Sequence, residues 1–537
     1  MAELVNRPEY LRQLIQNRDV DLVKIVTGIR RCGKSSLLEL YHQYLLEQDV
    51  AESHIIHMNL ESLRYRTLSD YLAFYDYVSQ RIPDSGKTYL IFDELQAVSH
   101  WEKAIESFRL DYDVDIYITG SNAYLLSTEF STLLSGRYVE IRMLPLSFKE
   151  FLTFYSFDQS VTLEEKFQKY LQFGGMPILR EYQFNEARSN QALEGIYSTV
   201  VLRDILQRNE GADQVMLQKI MLFLCSNIGS INSPSSIGNV LYNEGDIRGR
   251  NVAGKTVEKY ISMLRSAYIF FSVGRYDVKG KQLLKTLGKN YIIDMGFRNM
   301  LLGYRDADRG HILENIVYLE LLRRDYRVCI GKVGETEVDF VAEKPDDKLY
   351  IQVTESMLSP ETRERELRPL QMIPDNYEKI VLSMDRDFIK SYDGIKSLNL
   401  LCNVMTAQRA HRAGCTETVF HRGDIVTECA HSNVSVLKDG VLYSHPNDEF
   451  ILRGIAKSHM IRVCYRLGIP VLEKPFTMDF LKSADEILVT STTKFCLAAD
   501  TLNGLSVGGR DAATRAAIQN AVLQDFRDCT GFAGLWI

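Results

Sequence analysis

The sequence predicts a multidomain α/β protein whose first domain is a parallel sheet flanked by helices. Three observations carry that prediction. The chain has 537 residues, well past the size at which one hydrophobic core keeps growing, so three or four domains are expected. Near the N-terminus an apolar, β-branched run from Leu22 to Thr27 empties into a glycine-bearing loop and then a helical stretch. Further on, short apolar runs ending in polar residues alternate with helical periodicities, as in a sheet built from strand–helix repeats.

Composition agrees with this reading. With 45% hydrophobic residues, 25% charged residues and 12 prolines, the chain is that of an ordinary globular protein with little room for disordered linkers. A formal charge of −7 excludes a protein that is basic everywhere, yet leaves room for a local cationic face that could meet nucleic acid. The nine cysteines include no C-x-x-C pair and no Cys/His cluster at zinc spacing, which reads as reduced thiols and argues against structural zinc. The opening MAELVNRPEYLRQL is amphipathic and charged, without the apolar segment of a signal peptide, and nowhere do about 18 apolar residues run together. A cytoplasmic protein without a membrane span is expected.

Residues 1–155 are expected to form the first domain. The string Gly28-Ile-Arg-Arg-Cys-Gly33-Lys34-Ser35-Ser36, between the apolar strand and LLELYHQYLLEQ, has the strand, loop and helix order of a P-loop. Its glycines allow backbone N–H groups to curl around phosphates at a helix N-terminus, where the dipole favours negative charge. Lys34 then reaches the β- and γ-phosphates, Ser35 supplies a hydroxyl to Mg²⁺, and Gly28, Gly33 and Ser36 complete the cradle; Arg30 and Arg31 either contact phosphate or lie in solvent. Tyr89-Leu-Ile-Phe-Asp93-Glu94 is an apolar strand ending in two carboxylates. After a phosphate loop, Asp93 is the candidate holder of the metal's shell and Glu94 the candidate general base. A third strand, Asp115 to Thr119, runs on to Asn122, the candidate γ-phosphate sensor. ATP and Mg²⁺ are the expected ligands.

Together with NRPEYL, LIFDELQAV, TGSNAYLLS and LLSGRYVEIRMLPLSFKEF, this set resembles the AAA+-like P-loop ATPases of bacteria and archaea that carry a C-terminal domain of unknown function. The resemblance runs to about residue 395. It implies that Arg137, in the SGRY string, completes a neighbour's active site in a homo-oligomer; a structural salt bridge is the alternative.

Residues 156–214 read as a helical connector with a corner at Phe173-Gly-Gly-Met-Pro177, to which no chemistry is assigned. Residues 215–295 read as helix, turn, helix, a further helix from Thr256, and then the β-rich YIFFSVGRYDVKGKQLLK, a winged-helix pattern with Arg275, Lys279, Lys281 and Lys285 on its wing. A recognition helix for DNA and a protein-binding or purely structural wing are both open. In residues 296–394, the helix with Glu314 and Glu320, the strand Glu337-Val-Asp339-Phe-Val and the strand Tyr350-Ile-Gln352-Val-Thr354 resemble the restriction-endonuclease-like α/β core that ends this ATPase family. Thr354 stands where a working site needs lysine, so the fold is expected without cleavage.

From residue 395 to 537 the character changes. Ile395-Lys396-Ser-Leu-Asn399-Leu-Leu, Ile425-Val-Thr-Glu428-Cys, Ile451-Leu-Arg-Gly454-Ile455 and Ala484-Asp-Glu-Ile-Leu-Val-Thr-Ser491-Thr492-Thr resemble D-amino acid aminotransferases, pyridoxal phosphate enzymes of the class IV, branched-chain type. The resemblance implies that Lys396 holds the cofactor as a Schiff base, that Glu428 pairs with its pyridine nitrogen, and that Gly454, Ile455, Ser491 and Thr492 form its phosphate cup. The family's Gly-Ile-Thr is Gly454-Ile455-Ala456 here, and the first domain of such an enzyme is absent, so weak cofactor binding and no useful transamination are expected. The string IKSLNL fits both parents, and Lys396 belongs as well to the last strand of the ATPase family as to a transaminase site; an apparent fusion follows.

Three functions stand at this point: an ATP hydrolase coupled to its winged-helix and nuclease-like modules, an ATP-bound switch on DNA or a protein partner with little turnover, and a D-amino acid aminotransferase carried by the tail.

Overall fold

The computed structural model describes residues 4–120, 136–158, 160–209, 211–243, 253–305, 308–345, 347–385, 391–392, 395–399, 410, 413–430, 432–448, 450–491 and 495–530. The chain divides into two compact units, one of residues 1–275 and 283–330, the other of 276–282 and 331–537. Among the described residues no helix is long and apolar enough to cross a membrane.

The first unit opens with helix α1 (Pro8–Gln16), whose proline occupies the first turn, where a missing N–H costs nothing. A five-stranded parallel sheet follows, made of β1 (Val23–Thr27), β2 (Ile55–Asn59), β3 (Thr88–Asp93), β4 (Val114–Gly120) and β5 (Tyr138–Arg142) in the order β2-β3-β4-β1-β5. β1 and β3 are buried along their whole length, which is why they read as continuous apolar runs rather than alternating ones. Helices α2 (Lys34–Glu47), α3 (Tyr71–Ser79) and α4 (Trp101–Asp111) connect the strands. One face of the sheet is closed by Phe74, Phe92, Phe108 and Ile118, all fully buried. Because every strand runs the same way, all five C-terminal ends meet at one edge, the edge at which open α/β sheets bind ligands.

The rest of the first unit is mainly helical. Helices Leu163–Phe173 and Glu186–Thr199 flank the glycine corner, and the second runs directly into a π-helical turn, Val200–Leu206. Three helices follow, Gln214–Ser226, Pro234–Asn243 and Gly254–Ser266, then β6 (Phe270–Asp277) and β7 (Gln282–Ile292), which are hydrogen-bonded neighbours. Lys279 and Lys281 are exposed in and beside the turn and Arg275 is half-buried; the Lys285 side chain lies outside the described residues. Glu314, on the helix Arg309–Arg323, is buried and closed off by Lys289 Nζ at 2.7 Å and Tyr291 Oη at 2.6 Å.

In the second unit β9 (Thr336–Lys344), β10 (Asp347–Val353), β11 (Glu378–Ser383), β12 (Ser391–Tyr392) and β13 (Ile395–Asn399) pair in the order β12-β13-β11-β10-β9. The chain enters β9 from β8 (Arg327–Val333). β13 is parallel to β11, with Lys396 opposite Ile380. The string Ile395-Lys-Ser-Leu-Asn399 is therefore used here as a strand of this sheet. Beyond it, β14 (Val419–Arg422), β15 (Ile425–Cys429) and β19 (Phe476–Thr477) form a small antiparallel sheet. A five-stranded sheet takes β16 (Asn433–Lys438), β17 (Val441–Ser444), β18 (Val471–Glu473), β20 (Glu486–Ser491) and β21 (Phe495–Ala499) in the order β18-β17-β16-β20-β21.

Candidate functional site

The phosphate loop leaves β1 at its C-terminal end. Gly28 has φ +145°, and a Cβ there would lie 2.2 Å from the Met143 carbonyl oxygen, so both conformation and space demand glycine. Gly33, at φ +106°, turns the chain into α2, and no described side chain caps that helix start. Lys34 is 4% exposed and donates from Nζ to the carbonyl oxygens of Gly28 at 2.9 Å and Ile29 at 3.1 Å. Ser35 and Ser36 are exposed on the first turn of α2. The Lys34 ammonium thus stands against the inner curve of the loop and the hydroxyls at its mouth.

Three neighbouring strand ends deliver the acidic groups. Asp93, 2% exposed, accepts a hydrogen bond from Asn59 Nδ2 at 2.9 Å and another from the Thr119 hydroxyl. Glu94 follows with φ +54°, in the left-handed region that few non-glycine residues occupy. Its backbone N–H donates to Thr119 Oγ1 at 3.0 Å, and Gln96 Nε2 donates to its carboxylate. Thr119 therefore fixes both acids, one through its hydroxyl proton and one through its lone pair. Backbone strain stored at such a position is a common mark of a working site.

Two further residues enter the site from far away in the sequence. Arg7 is 3% exposed; its Nη1 donates to the loop carbonyl of Cys32 at 3.1 Å and to Leu144 O at 2.9 Å, and the same guanidinium forks onto Glu150 at 2.8 and 2.9 Å. Arg30, inside the loop, donates from Nε to Asp204 Oδ2 at 2.7 Å and from Nη1 to Glu61 at 3.4 Å. Arg7 lies in the NRPEYL string and carries a signal in the sequence only as part of that string; Asp204, in the connector to which the sequence assigned no chemistry, carries none.

Arg137 is placed differently. It precedes Tyr138, the partner of Val23, whereas the loop end of β1 is Thr27, opposite Arg142. Four residues of strand, about 13 Å, separate it from its own phosphate loop. It is 56% exposed, 3.7 Å from Glu106. Asn122 lies outside the described residues.

The tail has its own polar cluster. Glu428 on β15 is 3% exposed and accepts the Leu452 N–H at 2.8 Å, while Asn433 Nδ2 donates to Leu452 O at 2.9 Å. These bonds hold Gly454 at the start of the helix Ile455–Arg466, where a Cβ would lie 2.0 Å from Asn433 Oδ1. Ile455 is exposed, Ser491 is half-buried, and Thr492 lies outside the described residues. A buried carboxylate and a helix start suit the ring nitrogen and the phosphate of pyridoxal phosphate. Lys396 pairs in the β13–β11 ladder and its side chain lies outside the described residues; the described residues fit the ring-nitrogen and phosphate ends of the cofactor. Lys457, on the same helix and 1% exposed, is pulled down to about 8 by burial, against the charges of Glu473, Asp448 and Glu428.

In the sheet of β9 to β11, Asp339 Oδ2 accepts the Val353 N–H at 2.8 Å, Gln352 Nε2 donates to Glu366 at 2.8 Å, and the Thr354 hydroxyl donates to Ser356 O at 3.2 Å. Each polar group there has a partner within the fold.

Comparison with known proteins places names on these parts. An AAA domain matches residues 21–152, a domain of unknown function matches 164–308, and an amino-transferase class IV domain matches 323–500. An uncharacterized protein of Haemophilus influenzae is 40% identical over 382 residues, covering 71% of this chain and 93% of its own. One of Methanocaldococcus jannaschii is 28% identical over 405 residues, covering 72% and 83%. A D-alanine aminotransferase of Listeria monocytogenes is 50% identical over 99 residues, which is 18% of this chain and 34% of that enzyme, so the chain spans about a third of that relative's length. Among solved structures, the branched-chain amino acid aminotransferase of Escherichia coli is 28% identical over 23% of this chain and 42% of its own, with a TM-score of 0.22. The chain thus belongs to the AAA-domain family that includes the Haemophilus influenzae protein, and it carries in addition a class IV amino-transferase domain toward its C-terminus.

Proposed function

We propose that the first unit binds ATP with Mg²⁺ and hydrolyses it. The observation that carries this is the meeting of the phosphate loop with Asp93 and Glu94, both held by Thr119, at one edge of the parallel sheet. In this reading the loop amides and Lys34 hold the β- and γ-phosphates, while Ser35 and Asp93 hold the metal. Glu94 takes a proton from the water that attacks the γ-phosphorus, and ADP and inorganic phosphate leave. A positioned base contributes on the order of 10²- to 10⁴-fold. The test is steady-state ATP hydrolysis by the full chain against Glu94→Gln, each with and without a Mg²⁺ chelator. Turnover lost in the variant and in chelator supports the reading; a wild-type rate indistinguishable from the variant's leaves an ATP-bound switch.

The three helices and the β6–β7 pair form a winged helix that binds DNA or a protein through Lys279 and Lys281. The β9 to β13 sheet is a nuclease-like core without cleavage, because Thr354 takes the place of the water-positioning lysine. Arg137 lies on the outer edge away from its own loop, which suits an arginine offered to the next subunit of a homo-oligomer. The protein acts in the cytoplasm.

A second reading is favoured by the Glu428, Leu452 and Gly454 arrangement: binding of pyridoxal phosphate by the tail, and D-amino acid transamination if the site is complete. When bound, the cofactor supplies an electron sink for the substrate α-carbon. Absorbance of the purified chain in the Schiff-base band, compared with Lys396→Ala, decides it: a band lost in the variant supports the reading, and no band in wild type ends it.

A further inference from the structure

Arg30 is a charged side chain in the middle of a phosphate loop, yet its strongest partner is a carboxylate 174 residues away. Its guanidinium meets acidic groups from three elements. Asp204 comes from the π-helical turn and Glu61 from the segment after β2, while Glu94, after β3, acts on it electrostatically. Burial pulls the Arg30 guanidinium down, but Asp204 first, then Glu94 and Glu61, carry the net shift upward. β3 and β2 lie beyond β4 from β1, so Arg30 reaches across the C-terminal edge of the sheet to the side where Asp93 and Glu94 stand. In a P-loop site that side takes the γ-phosphate and its metal.

Asp204 is 3% exposed and belongs to Val200–Leu206, a seven-residue π-helical turn continuing the α-helix Glu186–Thr199. π-turns are rare, and they concentrate where a helix is bent to present a functional group. Here the turn presents Asp204 to the phosphate loop.

We infer that Arg30 is a ligand of the γ-phosphate, that Asp204 is the positioning residue it leaves to reach that phosphate, and that the exchange moves Val200–Leu206 with nucleotide state. The inference rests on the ATP reading above. A terminal phosphate offers a guanidinium more charge and more acceptor oxygens than one carboxylate does, so ATP competes for Arg30. ADP has no γ-phosphate, and Arg30 stays with Asp204. When Arg30 leaves, Asp204 is a buried anion without this cation, and the turn opens toward water. Since the turn continues the Glu186–Thr199 helix, the displacement is passed into the helical connector.

The test uses the full chain. Hydrogen exchange of the backbone amides of residues 200–209 is measured with no nucleotide, with Mg–ADP and with a slowly hydrolysed Mg–ATP analogue. Affinity for each nucleotide is titrated on the same samples. In wild type the analogue, and not ADP, is expected to speed exchange in this segment several-fold. Asp204→Asn is expected to remove the dependence on nucleotide and to raise the ratio of analogue to ADP affinity about tenfold, because the phosphate no longer competes with a carboxylate. Arg30→Gln is expected to drive that ratio down and to leave exchange unresponsive. A purely structural ion pair would move both affinities together and leave their ratio alone. If both nucleotides bind wild type and exchange at 200–209 is the same with either, this inference falls while the ATP reading stands; if neither nucleotide binds, both fall.

Discussion

The guanidinium of Arg7 donates to the carbonyl oxygen of Cys32, inside the phosphate loop, at 3.1 Å. Through its other contacts it ties that loop to the segment leaving β5 and, by way of Glu150, to the helix Phe148–Phe154. The ties continue outward: Arg323 donates to Pro145 O at 2.8 Å, Leu146 N donates to Gly175 O at 2.8 Å, and Gly175 N donates to Asp294 at 2.6 Å. The back of the phosphate loop is thereby joined by hydrogen bonds to the helical connector and to the start of the helix Met295–Leu302.

Arg7→Ala should destabilise the first unit by about 3–5 kcal/mol, the usual cost of removing one partner of a buried ion pair. It should also weaken nucleotide binding, because the Cys32 carbonyl loses its anchor. Arg7→Lys keeps the charge but cannot fork, and should fall between the two. Thermal unfolding with nucleotide titration checks both; an Arg7→Ala variant that melts and binds like wild type would refute the clamp.

Gly28→Ala should fail to hold ATP. The added methyl meets the Met143 carbonyl, and an L side chain is strained at that φ. The loop must move to relieve the contact, and its amides then no longer converge on one phosphate. A loss of at least about tenfold in affinity is expected, about 1.4 kcal/mol, read by equilibrium titration.

Thr119→Val, nearly equal in volume, should cut kcat more than it changes KM. The hydroxyl serves Asp93 as donor and the Glu94 N–H as acceptor, and removing it leaves both buried groups short of a bond, at about 1–3 kcal/mol. The base then samples orientations away from the attacking water. Equal losses in kcat and in ATP affinity would instead mean that the strand ends have come apart.

Asp294 gives a pH signature. Burial pushes its carboxyl up to about 7, against the N–H groups of Gly175, Gly296 and Phe297 and the charge of Arg323. The folded chain thus holds a proton between about pH 4 and 7 that the unfolded chain has released, so this group's contribution to stability is full below about pH 4 and is lost progressively as pH rises to 7. Asp294→Asn cannot titrate, and wild type should lose stability relative to it between about pH 4 and 7. A difference that stays constant across that range would show that Asp294 remains charged throughout.

Some of the fold was legible because its signals are local. The order of apolar strand, glycine loop and helix that marks Gly28 to Ser36 is contiguous, as is the run that ends in Asp93 and Glu94, and each lies at a strand end in the fold. Asp204 and Asp294 were not legible. Each is an ordinary acid, one in a helical pattern and the other at the end of a β-rich stretch, until the chain folds and brings it to a partner more than a hundred residues away, Arg30 in one case and Gly175 in the other. Arg137 was read as an arginine offered to a neighbouring subunit or as half of a structural salt bridge, and nothing in its neighbours along the chain says at which end of the sheet it sits, beside Glu106 and away from the loop. Asn122 and Thr492 lie outside the described residues.

By itself the sequence determined that this chain opens with a phosphate loop backed by two strand-end acids, and that its tail shares motifs with class IV amino-transferases. Those properties depend on residues adjacent along the chain, where spacing fixes geometry. Only the tertiary structure decided that Thr119 holds both acids, that Arg7 and Asp204 grip the loop from opposite sides, and that Lys396 stands opposite Ile380 in a strand beside β11. Long-range pairings of this kind follow from strand order and burial, which a charged residue's own neighbours do not encode.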